Sequence, residues 1–333
     1  MRWLRILLYI IGVLIIVYLF GPHPSTPRYT TWLPLVPKTI DRLDKFVADE
    51  EALHKIKPDN EARIVWANDS LKQKTEYAIV YLHGFSACQE EGDPVHRNIA
   101  KEFGCNLYLS RLAEHGIDTT EQLINLTADN YWESVKRAFA IGKELGNKVI
   151  LMGTSTGATQ AVQLAATYPK DVAALILYSP NIAINDKNAW ILNDHWGLQI
   201  ARLVKGSKYN DPSDERPIYK KYWNKPYRLE AAVALEEMLE TSMNQSTYSN
   251  VKQPTLMLYY YKDEAHQDSV VKVSAMKEMF TQLATDSLHK RAVAMPNTGA
   301  HVIASPIKSG DVEGVQRETE KFLKEILKLQ PVR

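Results

Sequence analysis

The chain opens on an unbroken apolar run over residues 6–20, led by Arg2 and Arg5 and followed by polar, proline-rich sequence. The run falls slightly short of the roughly 17–25 residues of a spanning helix, but Trp3 and Leu4 extend it if Arg5 snorkels toward the headgroups. Signal peptidase needs small residues at −1 and −3, and here Gly21 is paired with Leu19 and Ser25 with His23, so neither site suits cleavage. Residues 1–21 therefore read as an uncleaved membrane anchor, with a cleaved secretion signal as the alternative. The leading arginines stay cytoplasmic, which puts the rest of the chain in the periplasm or outside the cell. Pro22, Pro24, Pro27, Pro34 and Pro37 make residues 22–39 an extended tether, and the folded domain is expected to start near Ile40.

Beyond Ile40, short apolar or alternating runs recur at 62–67, 77–82, 107–112, 148–153, 173–178, 255–261 and 291–295. They are bounded by Gly, Asn or Pro and rich in Val, Ile, Leu and Tyr, the pattern of strands buried on both faces. Helical periodicity separates them. Thr127 or Asp129 caps a helix whose apolar side is Trp132, Val135, Phe139 and Leu145 and which Gly146 stops. Further helices are expected over 156–168, 270–283 and 312–329. This alternation predicts an α/β fold with a mostly parallel central sheet flanked by helices. Residues 181–250 break the rhythm: the stretch is helix-leaning, without a clear strand and too long for a loop. It carries Trp190, Trp196, Trp223, Tyr209, Tyr219, Tyr222, Tyr227 and Tyr248, and reads as an inserted helical cap on a core made of residues 40–180 and 251–333. The plainer reading is a peripheral subdomain whose aromatics pack only on each other.

Charge narrows the partners. Forty Lys and Arg against 39 Asp and Glu leave a formal charge of +1, and no block of like charges offers a footprint for nucleic acid. A charged share of 24% and a hydrophobic share of 45% exclude disordered and low-complexity classes. Cys88 and Cys105 are too few for a disulfide framework or a thiolate zinc site; a single bridge is possible, but two buried free thiols are the default.

The chemistry starts at Gly153-Thr154-Ser155-Thr156-Gly157, where an apolar strand runs straight into a helix. Glycine at both flanks removes the Cβ clashes of a sharp strand-to-helix turn that exposes the serine hydroxyl. Downstream lie His301, in a small-residue loop after the last strand, and two acids, Asp263 and Asp268, after the strand beginning at Thr255. A serine hydroxyl needs a base to take its proton, and the base needs an acid on its other ring nitrogen. Counting from Pro254 favours Asp263. Asp263, Glu264, His266 and Asp268 could also be taken for a metal cluster, but no ligand spacing rule supports it.

Over residues 60–328 the chain resembles the α/β-hydrolase family, and within it the serine esterase and monoacylglycerol-lipase-like members with a helical cap. The resemblance rests on His83-Gly84-Phe85 after a strand, the turn at Ser155, the acid loop, and Gly299-Ala300-His301. It implies Ser155 as nucleophile, His301 as base and Asp268 as acid, the last because Asp268-Ser269-Val270-Val271 fits the family's pattern. It also assigns the oxyanion donors to the backbone N–H groups of Phe85 and Thr156.

The resulting expectation is a serine hydrolase that cleaves carboxylic esters through an acyl-enzyme, without a cofactor. Its substrate would be a small-molecule ester, short-chain or lipid-like, of the monoglyceride or lysolipid type. One alternative is a peptidase or amidase of the same fold, for which acidic cap residues would bind an amine; Glu236, Glu237 and Glu240 are candidates, but on a helix they read as a solvated face. A dehalogenase is disfavoured because Ser155 stands where that chemistry needs Asp. The other alternative, a catalytically silent binding protein, is opposed by the full set of three side chains.

Overall fold

The computed structural model describes residues 2–332. Its helices are α1 (Arg2–Leu19), α2 (Ile40–Glu51), α3 (Val95–Glu102), α4 (Ala128–Leu145), α5 (Thr156–Thr167), α6 (Gly197–Lys205), α7 (Pro217–Tyr222), α8 (Leu229–Ser242), α9 (Gln245–Tyr248), α10 (Val273–Gln282) and α11 (Val312–Glu325). The strands are β1 (Arg63–Val65), β2 (Thr75–Leu82), β3 (Asn106–Leu109), β4 (Gly146–Thr154), β5 (Val172–Tyr178), β6 (Tyr209–Asn210), β7 (Tyr227–Arg228), β8 (Thr255–Tyr259) and β9 (Lys290–Ala294).

Seven strands form one sheet in the order β1-β3-β2-β4-β5-β8-β9, parallel throughout except for the edge strand β1. Successive side chains on a strand alternate between faces, and the core divides accordingly. Ala78, Val80 and Leu82 of β2, with Val149 and Leu151 of β4, face the side packed by Trp132, Val135 and Phe139 of α4. Ile79, Tyr81, Ile150, Met152 and Ile176 face the side packed by Val95 and Ile99 of α3 and Phe322 and Leu323 of α11. Helices cover both faces, so the buried stretches of the central strands, residues 78–82 of β2 and 149–152 of β4, are apolar at every position.

Thr127, not Asp129, caps α4, in a reciprocal box with Asn130: the Asn130 N–H donates to Thr127 Oγ1 at 3.1 Å and the Thr127 N–H to Asn130 Oδ1 at 2.9 Å. Gly146 does end α4, but in extended geometry (φ −142°, ψ 156°) that begins β4 with no intervening loop. The segment between β5 and β8 contains α6 to α9 and also a two-residue antiparallel pairing, β6 with β7, that periodicity does not reveal. Helices α2 and α3 are also not anticipated.

The proline-rich stretch is held against the body. The Arg28 N–H donates to Asp129, the Tyr29 hydroxyl bonds Thr241, Trp132 Nε1 donates to the Thr30 carbonyl at 2.8 Å, and Tyr168 donates to the Thr31 carbonyl. The fully buried Lys136 amine adds bonds to Thr30 Oγ1 and the Trp32 carbonyl. A chain without secondary structure still has to satisfy its carbonyls, and here α4 and α5 supply the donors. Helix α1 projects with none of its residues buried.

Candidate active site

Ser155 sits between the last residue of β4 and the first of α5, with φ 55° and ψ −121°. That conformation costs a residue with a side chain about 1–3 kcal/mol, and the surroundings enforce it. The Ser155 N–H donates to the Tyr178 carbonyl at 2.8 Å, and its own carbonyl accepts from Thr159 and Asn181, each at 3.1 Å. The flanking glycines let the elements close. A Cβ on Gly157 would overlap the Leu82 carbonyl oxygen, and one on Gly153 would lie 2.6 Å from the Ala158 nitrogen.

His301 and Asp268 form a pair. His301 Nδ1 lies 2.6 Å from Asp268 Oδ2, and Asp268 Oδ1 accepts the Val270 and Val271 N–H groups at 2.8 and 3.2 Å. With Nδ1 as donor, Nε2 is the free basic nitrogen; it is buried and makes no hydrogen bond. The Ser155 hydroxyl and Nε2 are therefore not hydrogen-bonded to one another in this structure, an arrangement common before substrate arrives. Burial pulls the His301 pKa down, but the Asp268 charge and hydrogen bond, with the field of Glu91, outweigh it and leave the ring more basic than an ordinary histidine. Asp263 faces elsewhere: its carboxylate is half exposed and accepts from the backbone and ring of His266, each at 2.8 Å.

The Phe85 and Thr156 N–H groups have no acceptor among the described residues, whereas the Gly84 N–H donates to Glu91 Oε2 at 2.6 Å. Two neutral imidazoles hold this loop. His83 Nε2 accepts from the Leu112 N–H and its Nδ1 donates to the Gly84 carbonyl. His115 Nε2 accepts from Ser86, which itself adopts φ 62°, and its Nδ1 donates to the Ala113 carbonyl. Burial drives His83 down to about 4 and His115 well below the ordinary histidine range, so both rings stay neutral near pH 7.

Glu91 is the site residue that sequence reasoning missed. It is 2% exposed, and a Cβ on Gly84 would lie 2.8 and 2.9 Å from its two carboxylate oxygens and 3.0 Å from Ser155 Cβ. Burial raises its pKa to about 7, against the pull of the Gly84 N–H and His301.

The segment between β5 and β8 covers this corner. Trp223 stacks on Tyr219 at 4.7 Å, and both pack with Tyr222 against Ala87, Cys88 and Val302, the neighbour of His301. Tyr227 meets the Phe85 ring edge-on at 5.1 Å, and the Asn224 N–H donates to the Ser86 carbonyl at 2.6 Å. These aromatics thus pack on the Ser155 side of the core, not only on each other. Trp190 is exposed, Trp196 bonds the Val17 carbonyl at the end of α1, and Tyr209 bonds Glu121. Glu236 is buried with one carboxylate oxygen unpartnered, correcting the expectation of a solvated face, and burial raises it to about 7. Glu237 and Glu240 do lie at the surface side and share the Asn193 amide. Cys88 and Cys105 are buried free thiols. Among the described residues no group of three or more His, Cys, Asp and Glu is arranged to hold a metal ion.

The family model described as Serine aminopeptidase, S33 (Hydrolase_4) matches residues 126–303, just over half of the chain. The chain belongs to this family. The match spans the Ser155 turn, the Asp268 loop and His301, so this S33-family chain carries its three candidate side chains inside the matched region. Comparison with curated proteins finds no match. Among solved structures, one from a study of LipS and LipT, two metagenome-derived lipolytic enzymes, superposes with TM-score 0.64 at 15% identity, covering 81% of this chain and 99% of the other. The monoacylglycerol lipase of Paleococcus ferrophilus gives 0.57 at 14%, covering 80% and 99%. A thermophilic esterase from Thermogutta terrifontis gives 0.53 at 15%, covering 82% and 97%. At these identities the likeness establishes the α/β-hydrolase fold, and the family match makes the protein a serine hydrolase of that fold.

Proposed function

We propose that this protein is a membrane-anchored carboxylic ester hydrolase working through an acyl-enzyme. The observation that carries the reading is the Asp268–His301 pair of 2.6 Å, with a free Nε2, in the same loop cluster as the strained Ser155. Ser155 Oγ attacks the ester carbonyl carbon as His301 Nε2 takes its proton. The carbonyl oxygen becomes an oxyanion, and the Phe85 and Thr156 N–H groups are the donors to stabilise it. The intermediate collapses by breaking the bond to the alkoxy oxygen, which receives the proton from His301. Water then repeats the sequence on the acyl-serine and releases the acid. Asp268 fixes the ring tautomer and stabilises the imidazolium.

The substrate is an ester with an apolar acyl or alkyl group, of the monoglyceride, lysolipid or short-ester kind, a reading supported by the aromatic packing of Tyr219 and Trp223 with Val302, next to His301, and of Tyr227 on Phe85, with residues 181–250 as the cap. The structural neighbours named for lipolytic and esterase activity are in keeping with this. Helix α1 is the anchor: 18 residues give about 27 Å of helix, close to a bilayer's hydrocarbon core, at a hydropathy of 2.1. Its end is bonded to the body through the Val17 and Gly21 carbonyls, contacts that cleavage near Gly21 would sever. The arginines at its start put the catalytic domain on the extracytoplasmic side.

One observation favours an amidase or aminopeptidase reading: Glu236 presents a buried carboxylate with an unpartnered oxygen on α8, the group an amine-binding site would need. The test is hydrolysis by the full chain in detergent, across p-nitrophenyl esters of increasing acyl length and a matched set of aminoacyl p-nitroanilides. An ester optimum sizes the pocket; turnover confined to the anilides overturns the ester reading in favour of the amidase.

A further inference from the structure

The end of α1 is fastened to one part of the body, the residues just ahead of α6. The Tyr18 hydroxyl donates to Asp194 Oδ2 at 2.7 Å, Trp196 Nε1 donates to the Val17 carbonyl at 3.0 Å, the Trp196 N–H donates to the Pro22 carbonyl at 2.8 Å, and His195 Nδ1 bonds the Gly21 carbonyl at 3.0 Å. Helix α6 begins at the very next residue, Gly197. Nine residues of helix extend only about 13 Å, so all of α6 lies close to where the anchor would leave a bilayer.

Its two sides differ. Arg202 turns inward to pair with Glu230 at 2.6 Å. Ile200, Leu203 and Val204, at the i, i+3, i+4 spacing of one helical stripe, are 38%, 83% and 80% exposed. Trp190, in the short turn just before, is 55% exposed. Lys187, Lys205 and Lys208 are exposed around them. Isolated exposed leucines elsewhere, such as Leu71 and Leu288, are ordinary; an apolar stripe edged by lysines at the foot of an anchor has the composition of an interfacial helix.

We propose that the Ile200–Leu203–Val204 face of α6 is a bilayer-docking surface, seated at the headgroup and acyl boundary of the membrane that holds α1, with the flanking lysines on anionic headgroups. The proposal rests on α1 being an anchor, as argued above. It gives the covering segment a fixed relation to the lipid. The segment that carries α6 also packs Tyr227 on Phe85 and Trp223 on Val302, so an amphiphilic ester would pass from the bilayer beneath the cap to Ser155 without crossing bulk water.

The test places an environment-sensitive fluorophore on single introduced cysteines of the full chain, in vesicles of phosphatidylcholine with one-third phosphatidylglycerol; Cys88 and Cys105 are buried, and the unsubstituted chain is the labelling blank. Leu203→Cys and, independently, Val204→Cys probe the face. Ile11→Cys reports insertion of α1, and Leu71→Cys, by the N-terminal end of β2 and hence at the opposite end of the sheet from Ser155, is the aqueous control. Doxyl-labelled lipids should quench the probes at 203 and 204 several-fold more than the probe at 71. Quenching at 11 with 203 and 204 no different from 71 overturns the docking face and leaves the anchor standing. No quenching at 11 removes the anchor, and the docking face with it.

Discussion

Asp268 Oδ2 lies 2.6 Å from His301 Nδ1 while Asp268 Oδ1 is held by two backbone amides, so the carboxylate is fixed before it fixes the ring. Asp263, five positions earlier, is committed to His266. Asp268→Asn should lower kcat/KM by about 10⁴-fold, since the amide leaves the imidazole in the wrong tautomer and its cation unstabilised. Asp263→Asn should stay within about two-fold. Equal losses in the two variants would refute the assignment.

As the proposed base, His301 would have to be neutral to accept the serine proton. Its pKa is raised, so kcat/KM should fall as pH drops, with the acid limb lying above the ordinary histidine value of about 6.5. In Asp268→Asn the residual activity should show that limb displaced to lower pH, as the carboxylate no longer favours the charged ring. A limb that does not move assigns the titration to another group.

Glu91 makes two separable contributions. Glu91→Gln keeps an acceptor for the Gly84 N–H but removes a negative charge near His301, so the acid limb should shift downward with a modest loss of kcat. Glu91→Ala strands the amide and should cost kcat more. For stability, the folded-state pKa of about 7 exceeds the unfolded value near 4.3. Between these pH values the folded state holds a proton that the unfolded state has lost, so wild-type stability falls as pH rises through this window, by about 4 kcal/mol in total. Denaturant titrations of Glu91→Gln from pH 4 to pH 8 should lack that decline; a parallel decline in the variant would place its origin elsewhere.

The positions of the sheet strands along the chain and the Ser155 turn were legible because each rests on a local rule. Strands covered on both faces must be apolar throughout, and a serine wedged between β4 and α5 needs glycine at both sides. The choice between Asp263 and Asp268 was not local: both lie in one polar loop, and only the way that loop folds onto the His301 loop separates them. Glu91 was hidden for the same reason, as one of two adjacent glutamates of which Glu90 stays partly exposed. Helix α3 is short, and its apolar positions Val95, Ile99 and Phe103 are interrupted by His96 and Arg97. The docking of residues 28–32 depends on donors such as Trp132 and Lys136, a hundred residues away in sequence.

Gly157→Ala tests the close approach of α5 to β2. The added methyl would overlap the Leu82 carbonyl, a backbone atom that cannot turn aside, so the variant should lose about 3 kcal/mol or more together with activity. Thermal unfolding followed by circular dichroism is the readout, and a variant as stable as wild type would mean that the two elements are not in contact.

The two thiols should be silent. Burial raises both, Cys105 to about 12, so the native chain should leave Ellman's reagent unreacted and the denatured chain should titrate two thiols. Fast reaction of either in the native state would contradict its burial.

The central claim is that Ser155 is the nucleophile activated by His301, and intact-mass analysis after treatment with a fluorophosphonate ester probes it directly. The expected result is one phosphonyl adduct per chain, mapped by peptide sequencing to Ser155, absent in Ser155→Ala and slowed by at least about a thousand-fold in His301→Ala. An adduct on another residue, or labelling of His301→Ala at the wild-type rate, would contradict it.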